Sequence, residues 1–196
     1  MKGTTRIILP LLAIVAVALH PVPGVSAQGG EWTTLFDGSS LDGWNMLGTA
    51  NWELADGAVQ ADSGSGFLVT EESYADFELT LEFWVDEPAN SGIFIRCADA
   101  QNVRDTNAYE VNIYDTRPDQ TYRTGGIVHL AAPTSIITTG GRWNTYEIVA
   151  QGPRLRVTLN GTQTVDVEDS QYADGPIALQ YGAGVVKFRN VRVKRL

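Results

Sequence analysis

Cysteine is nearly absent: Cys97 is the only one in 196 residues. A chain with one thiol cannot close an internal disulfide, so burial and hydrogen bonding must hold its fold. As part of an alternating strand, Cys97 reads as a small core residue. Histidine is scarce too, with only His20 and His129, which excludes a His-rich metal centre. Basic charge is in deficit: 14 Lys and Arg against 23 Asp and Glu give a formal net charge of −9. That is the wrong sign for nucleic acid or an anionic membrane surface. No GxSxG, HExxH, Walker, dinucleotide or CxxC motif occurs, which counts against serine-nucleophile, zincin, nucleotide-binding and thiol-redox roles. Helical periodicity is missing beyond the amino terminus, leaving room for a short helical turn only within Asp99 to Asn107.

Long apolar runs are equally rare. The one present, Ile7 to Leu19, follows Lys2 and Arg6, is interrupted by Pro10, and precedes the small-x-small exit Val25-Ser26-Ala27. It falls short of the roughly 20 apolar residues that a membrane span requires. The pattern is that of a secretory signal peptide over residues 1–27, cleaved after Ala27. With no cysteine near that point to carry lipid, the expectation is an exported protein, periplasmic or extracellular, that does not insert in the membrane. Residues 28–196 then form one domain, more acidic still because the leader carries no acidic residue.

What the chain does have is turn signals every eight to twelve residues, among them Asp42-Gly43, Asp56-Gly57, Ser91-Gly92, Asn160-Gly161 and Asp174-Gly175. That spacing predicts an all-β sandwich or barrel, and the wet face of one sheet suits a jelly roll with a concave second sheet. From Phe77 to Val85, apolar residues alternate with Glu78, Thr80, Glu82 and Trp84, so one face is buried and the other solvated. Leu155, Val157 and Leu159 lead into Asn160-Gly161, a pair that tolerates the positive φ angles of a two-residue hairpin turn. In the closing strand the apolar parity switches between Phe188 and Val191, which predicts a bulge near Arg189 and Asn190. The five basic residues there (Lys187, Arg189, Arg192, Lys194, Arg195) read as a solvated edge, scattered by alternation over both faces.

Two strands carry polar residues at positions that share a face. In YEVNIYD, Glu110, Asn112 and Tyr114 oppose Val111 and Ile113; in NSGIFIR, Phe94 and Arg96 oppose Ile93 and Ile95. If the strands are neighbours, one surface presents a carboxylate, an amide, a phenol, a guanidinium and an aromatic ring, a mixture suited to a polyhydroxylated ligand. The plainer alternative is an Arg96–Glu110 cross-strand ion pair on a solvated face. Trp84 is the one tryptophan on a polar parity, hence a candidate sugar contact; Trp44, Trp52 and Trp143 read as sandwich packing. His129 is a candidate proton donor or acceptor, or an ordinary rim histidine. Asp115 and Asp119 are weak candidates for calcium, with an ordinary turn as the alternative.

Taken in order, TLFDGSSLDGW, NWELADGAV, GFLVTEESYADFELTLEF, NSGIFIR, YEVNIYD, TGGIV, RWNTYEIVAQGPRLRVTLNG and GPIALQYGAGVVKFRNVRV resemble the bacterial 3-keto-disaccharide hydrolase domain family. The resemblance implies a concanavalin A-like jelly roll of two antiparallel sheets, exported, acting on glycosides already oxidised at carbon 3. A ketone there acidifies the proton on carbon 2, so one base and one enolate-stabilising group suffice for elimination, after which water adds. Glu110 is the expected base, Arg96 the clamp and His129 an accessory group. Asn90, Asn112, Tyr114, Gln180 and Trp84 are the expected substrate contacts. No cofactor is required by this chemistry, and a divalent cation such as calcium is the only candidate addition. Where the family commonly carries Asp-His, this chain has Tyr181-Gly182. A non-catalytic carbohydrate-binding module on the same sandwich, or a structural sandwich with no sugar site, are the competing readings.

Overall fold

Alternating apolar residues need a second layer to cover them, and in the computed structural model, which describes residues 1–3 and 30–196, two antiparallel sheets cover each other. The expected leader, apart from Met1–Gly3, lies outside the described residues. The strands are β1 (Thr33–Phe36), β2 (Trp44–Gly48), β3 (Glu53–Ala55), β4 (Ala58–Ala61), β5 (Gly66–Tyr74), β6 (Phe77–Val85) and β7 (Ser91–Ile95). They continue as β8 (Tyr109–Ile113), β9 (Trp143–Gln151), β10 (Arg154–Leu159), β11 (Thr162–Glu168), β12 (Gly175–Tyr181) and β13 (Val186–Arg195). One sheet runs β11-β10-β9-β6-β13-β4-β3, with β1 also pairing β13; the other runs β2-β5-β12-β7-β8. Every pairing is antiparallel, so the jelly-roll sandwich expected from the turn spacing is the fold observed.

Between the sheets, Phe77, Phe83, Phe188 and Tyr146 are fully buried, each contributing roughly 1.5–3 kcal/mol by leaving water. The Asn160-Gly161 turn has φ of 51° and 78°, both positive as a two-residue hairpin demands, and joins β10 to β11. In β13 the register slips between Arg189 and Arg192, with Asn190 at φ 53°, which is the expected bulge.

Two expectations need correction. The segment Asp99 to Asn107 contains turns but no helix; the helical turn is a 3-10 segment at Gln120–Tyr122, started by the Asp119 side chain accepting from Thr121 N. The basic strand is not an edge, because β13 pairs with β6 on one side and with β4 and β1 on the other. Its bulge also shifts parity, so Lys187, Arg189, Arg192 and Lys194 all fall on the outer face. There Arg189 and Lys194 meet Glu82 and Glu78 of β6, at 2.6 and 2.8 Å. Arg189 also stacks 3.9 Å from the centre of Trp143, which therefore sits outside the core.

Candidate functional site

The outer face of the five-stranded sheet is built by the odd-even arithmetic of its strands. In β8, Tyr109, Val111 and Ile113 enter the main core, which turns Glu110 and Asn112 outward. Register sets Phe94 of β7 beside both Glu110 of β8 and Ala178 of β12, while Gly92 lies opposite Asn112. The small residues Gly92 and Ala178 leave a depression. A Cβ at Gly92 would stand 3.1 Å from Cγ and Oε1 of Glu110 and 3.3 Å from the Phe94 ring, so glycine there makes room for the carboxyl.

Above this floor lies a cavity of about 800 Å3. Glu110 lines it with Asn90, Tyr114 and Gln180, so four of the residues singled out in the sequence meet in one place. Phe67 and Phe94, in edge-to-face contact at 5.2 Å, supply an apolar wall. Loops that precede and follow β8 add Arg104, Asp105 and Arg117. Nothing periodic marks those three in the sequence, because irregular loops carry no parity to read.

Glu110 is only 7% exposed. Burial pushes its carboxyl up from 4.5 to about 7, with the nearby Asp105 charge adding to the rise and Arg117 opposing it. A carboxyl of that kind exchanges a proton near neutrality, as a general base should. Beside it, Asn112 is fully buried: its amide nitrogen donates to Tyr122 O, while its Oδ1 has no partner. The side-chain oxygen of Gln180 is likewise buried without a partner. Asn112 therefore lies beneath the cavity and does not line it, so the substrate contact expected of it is not made; Gln180 does line the cavity. The floor is held from behind, since Tyr146 Oη donates to Asn112 O and accepts from Gly125 N, at 2.7 and 2.8 Å. Val128 N in turn donates to Glu110 O, closing the free edge of β8.

Arg96 does not join this group. Its φ of 52° breaks the strand alternation and turns the guanidinium to the end of the sandwich, where it is 1% exposed. Nε donates to Ala75 O and Nη1 to Gly152 O, both at 2.8 Å, and Nη2 pairs with Asp76 at 3.1 Å. It is a structural tie between turns, and the cations that share the cavity with Glu110 are Arg104 and Arg117, of which Arg117 acts on its charge. Trp84 is also elsewhere, on the outer face of the eight-stranded sheet beside Lys187. His129, at φ 63°, stands exposed on the rim and reaches the cavity only through Asp105, 3.0 Å from its Nε2. Cys97 is buried, with its thiol pushed up to about 12 by desolvation, as an inert packing residue would be.

The acidic candidates for calcium do not make a ligand set. Asp115 accepts from Thr124 Oγ1, from Thr139 N and Oγ1, and from Gly140 N, and Asp119 caps the 3-10 turn. Calcium asks for six to eight oxygens, and among the described residues no group of three or more acidic, His or Cys side chains converges.

A two-sheet jelly roll with a polar, aromatic-walled cavity on the outside of its smaller sheet is a ligand-binding β-sandwich, an architecture that lectin domains share. Residues 31–194 match the model of the 3-keto-alpha-glucoside-1,2-lyase-like domain, and the chain belongs to that family. A 3-keto-disaccharide hydrolase from Bacteroides thetaiotaomicron is 28% identical over an alignment of 109 positions that covers 48% of this chain and 37% of that protein. The chain thus matches little more than a third of that relative's length. Among solved structures, a protein of Parabacteroides distasonis assigned provisionally as a glycosyl hydrolase superposes with a TM-score of 0.75 at 19% identity, over 87% of this chain and 95% of that one. The carbohydrate-binding module CBM66 of Bacillus subtilis gives 0.59 at 19% identity, over 76% of this chain and 93% of that one. At such identities these two show the fold. No helix among the described residues is long and apolar enough to cross a membrane.

Proposed function

We infer that this protein, exported by its amino-terminal leader, cleaves glycosides whose sugar ring carries a ketone at carbon 3. The observation that carries this reading is a single buried carboxyl, Glu110, at the floor of a sugar-sized polar cavity that Arg117 also lines. Ordinary glycosidases need two carboxyls at a set separation; abstraction of a proton beside a ketone needs one base. Glu110 takes the proton from carbon 2, and the electron pair moves onto the ketone oxygen as an enolate. Arg117 lies on the cavity wall as the cation able to stabilise that charge. The enolate then expels the aglycone from carbon 1, leaving an unsaturated ketone to which water adds. Asn90, Tyr114 and Gln180 position the hydroxyls, and Phe67 with Phe94 covers an apolar sugar or aglycone face.

The test is to incubate purified protein with 3-keto-trehalose, 3-keto-lactose and a 3-keto aryl glycoside and follow aglycone release. Turnover is expected with at least one, falling by roughly 10²–10⁴ in Glu110→Gln. Sugar binding with no release from any of the three would reassign the cavity to sugar capture alone.

A further inference from the structure

A second cavity, of about 530 Å3, opens beside Trp84 where β6 crosses into β7. Its walls are pinned before any ligand arrives. Gly141 N donates to Val85 O at 2.7 Å, Val185 N donates to Asp86 Oδ1 at 2.9 Å, and Asp115 braces Thr139 and Gly140. Gly140 is pressed so close to the backbone of Glu87 that a Cβ there would stand 3.2 Å from its Cα. Inside these walls several groups remain free. Among the described residues Glu87 makes no hydrogen bond or ion pair, Asp86 uses only Oδ1, and the Trp84 ring lines the opening with the hydroxyl-bearing Thr116 and Thr138.

The geometry points to a second carbohydrate-binding site here, taking a neutral sugar ring laid on Trp84 with its hydroxyls donated to Glu87 and Asp86. The chemistry of the lining narrows the choice. A phosphate or a sugar acid would meet the carboxylates of Asp86 and Glu87. An apolar ligand would strip water from those carboxylates and return no hydrogen bonds. A neutral polyol satisfies the acceptors and presents a C–H face to the indole.

The site rests on the carbohydrate reading of the first cavity and is joined to it through two shared loops. Asn90 lines the first cavity and Asp86 the second, at opposite ends of the β6–β7 connection. After β8, Tyr114 and Arg117 line the first while Asp115 and Thr116 line the second. A glycan longer than two sugars is thereby offered a foothold next to the cavity that holds Glu110.

The experiment uses the Glu110→Gln protein titrated with unoxidised maltotetraose and cellotetraose, by calorimetry and by the indole ¹⁵N–¹H resonance of Trp84. Saturable binding of at least one, with that resonance moving, is expected. Adding Trp84→Ala should weaken it by about tenfold or more, and Glu87→Gln should weaken it too. Either change made in the otherwise unaltered protein should leave turnover of a 3-keto aryl glycoside intact. If Trp84→Ala does not fold, the exposed Glu87→Gln carries the same comparison. Tetrasaccharide affinity unchanged by both substitutions, or absent altogether, overturns the second site. Intact tetrasaccharide binding in a protein that turns over no 3-keto substrate would sink the reaction assignment and leave this one standing.

Discussion

Replacing Glu110 with glutamine should make the protein more stable, and by an amount that depends on pH. In the folded chain the carboxyl is raised from 4.5 to about 7, chiefly by burial. A raised carboxyl holds its proton more tightly when folded than when unfolded. Its cost to stability is therefore absent below about 4.5, grows as pH rises through the interval, and is complete above about 7. At ~1.36 kcal/mol per pH unit the full cost is about 3 kcal/mol. Glutamine fills the same volume without ionising. For a domain of this size the gain corresponds to roughly 6–12 °C in Tm at alkaline pH, and close to nothing at about pH 4. Scanning calorimetry of both proteins across that range measures it directly. In parallel, kcat/KM of the unaltered protein should climb to a plateau as pH passes about 7, because the base works only when ionised. A Tm difference that stays constant with pH would refute the burial argument and, with it, the role of Glu110 as a base tuned by its surroundings.

Other outcomes follow from single contacts. Gly92→Ala should cut turnover by roughly tenfold to a hundredfold with little change in denaturation midpoint, since the new methyl pushes on Glu110 Cγ and Oε1 from 3.1 Å. Arg96→Ala should cost about 2–4 kcal/mol in urea unfolding because it leaves the carbonyls of Ala75, Gly152 and Tyr172 without their donor. The pH profile of any activity that survives should be unmoved. Tyr146→Phe removes the hydroxyl shared by Asn112 O and Gly125 N and should lower stability by about 1–3 kcal/mol. A chelator should leave turnover unchanged, since Asp115 and Asp119 are already engaged as turn braces.

Most of the fold was legible because strands report themselves through parity. Alternation in β6, the Asn160-Gly161 turn and the parity switch in β13 each express a local rule that the tertiary structure had no reason to override. The site was legible as far as parity reached: Glu110, Asn112 and Gln180 sit on one face because their neighbours in the chain are core residues. Arg96 failed for a physical reason, a single positive φ at the strand end that sends its side chain elsewhere. The basic strand failed for a related one, since the bulge that was foreseen also gathers the charges on one face.

The sequence by itself determined that this chain is a two-layer β-sandwich with no disulfide, that its chemistry carries few titratable groups, and which family it resembles. Those are matters of composition, period and order along the chain. Only the tertiary structure decided which cations share the cavity with Glu110, because Arg104, Arg117 and Asp105 come from irregular loops. It alone also separated Trp84 into a cavity of its own. Burial, which raises the Glu110 carboxyl, belongs to no residue singly: it arises where neighbouring strands and the loops on either side of β8 gather around the outer face of the sheet.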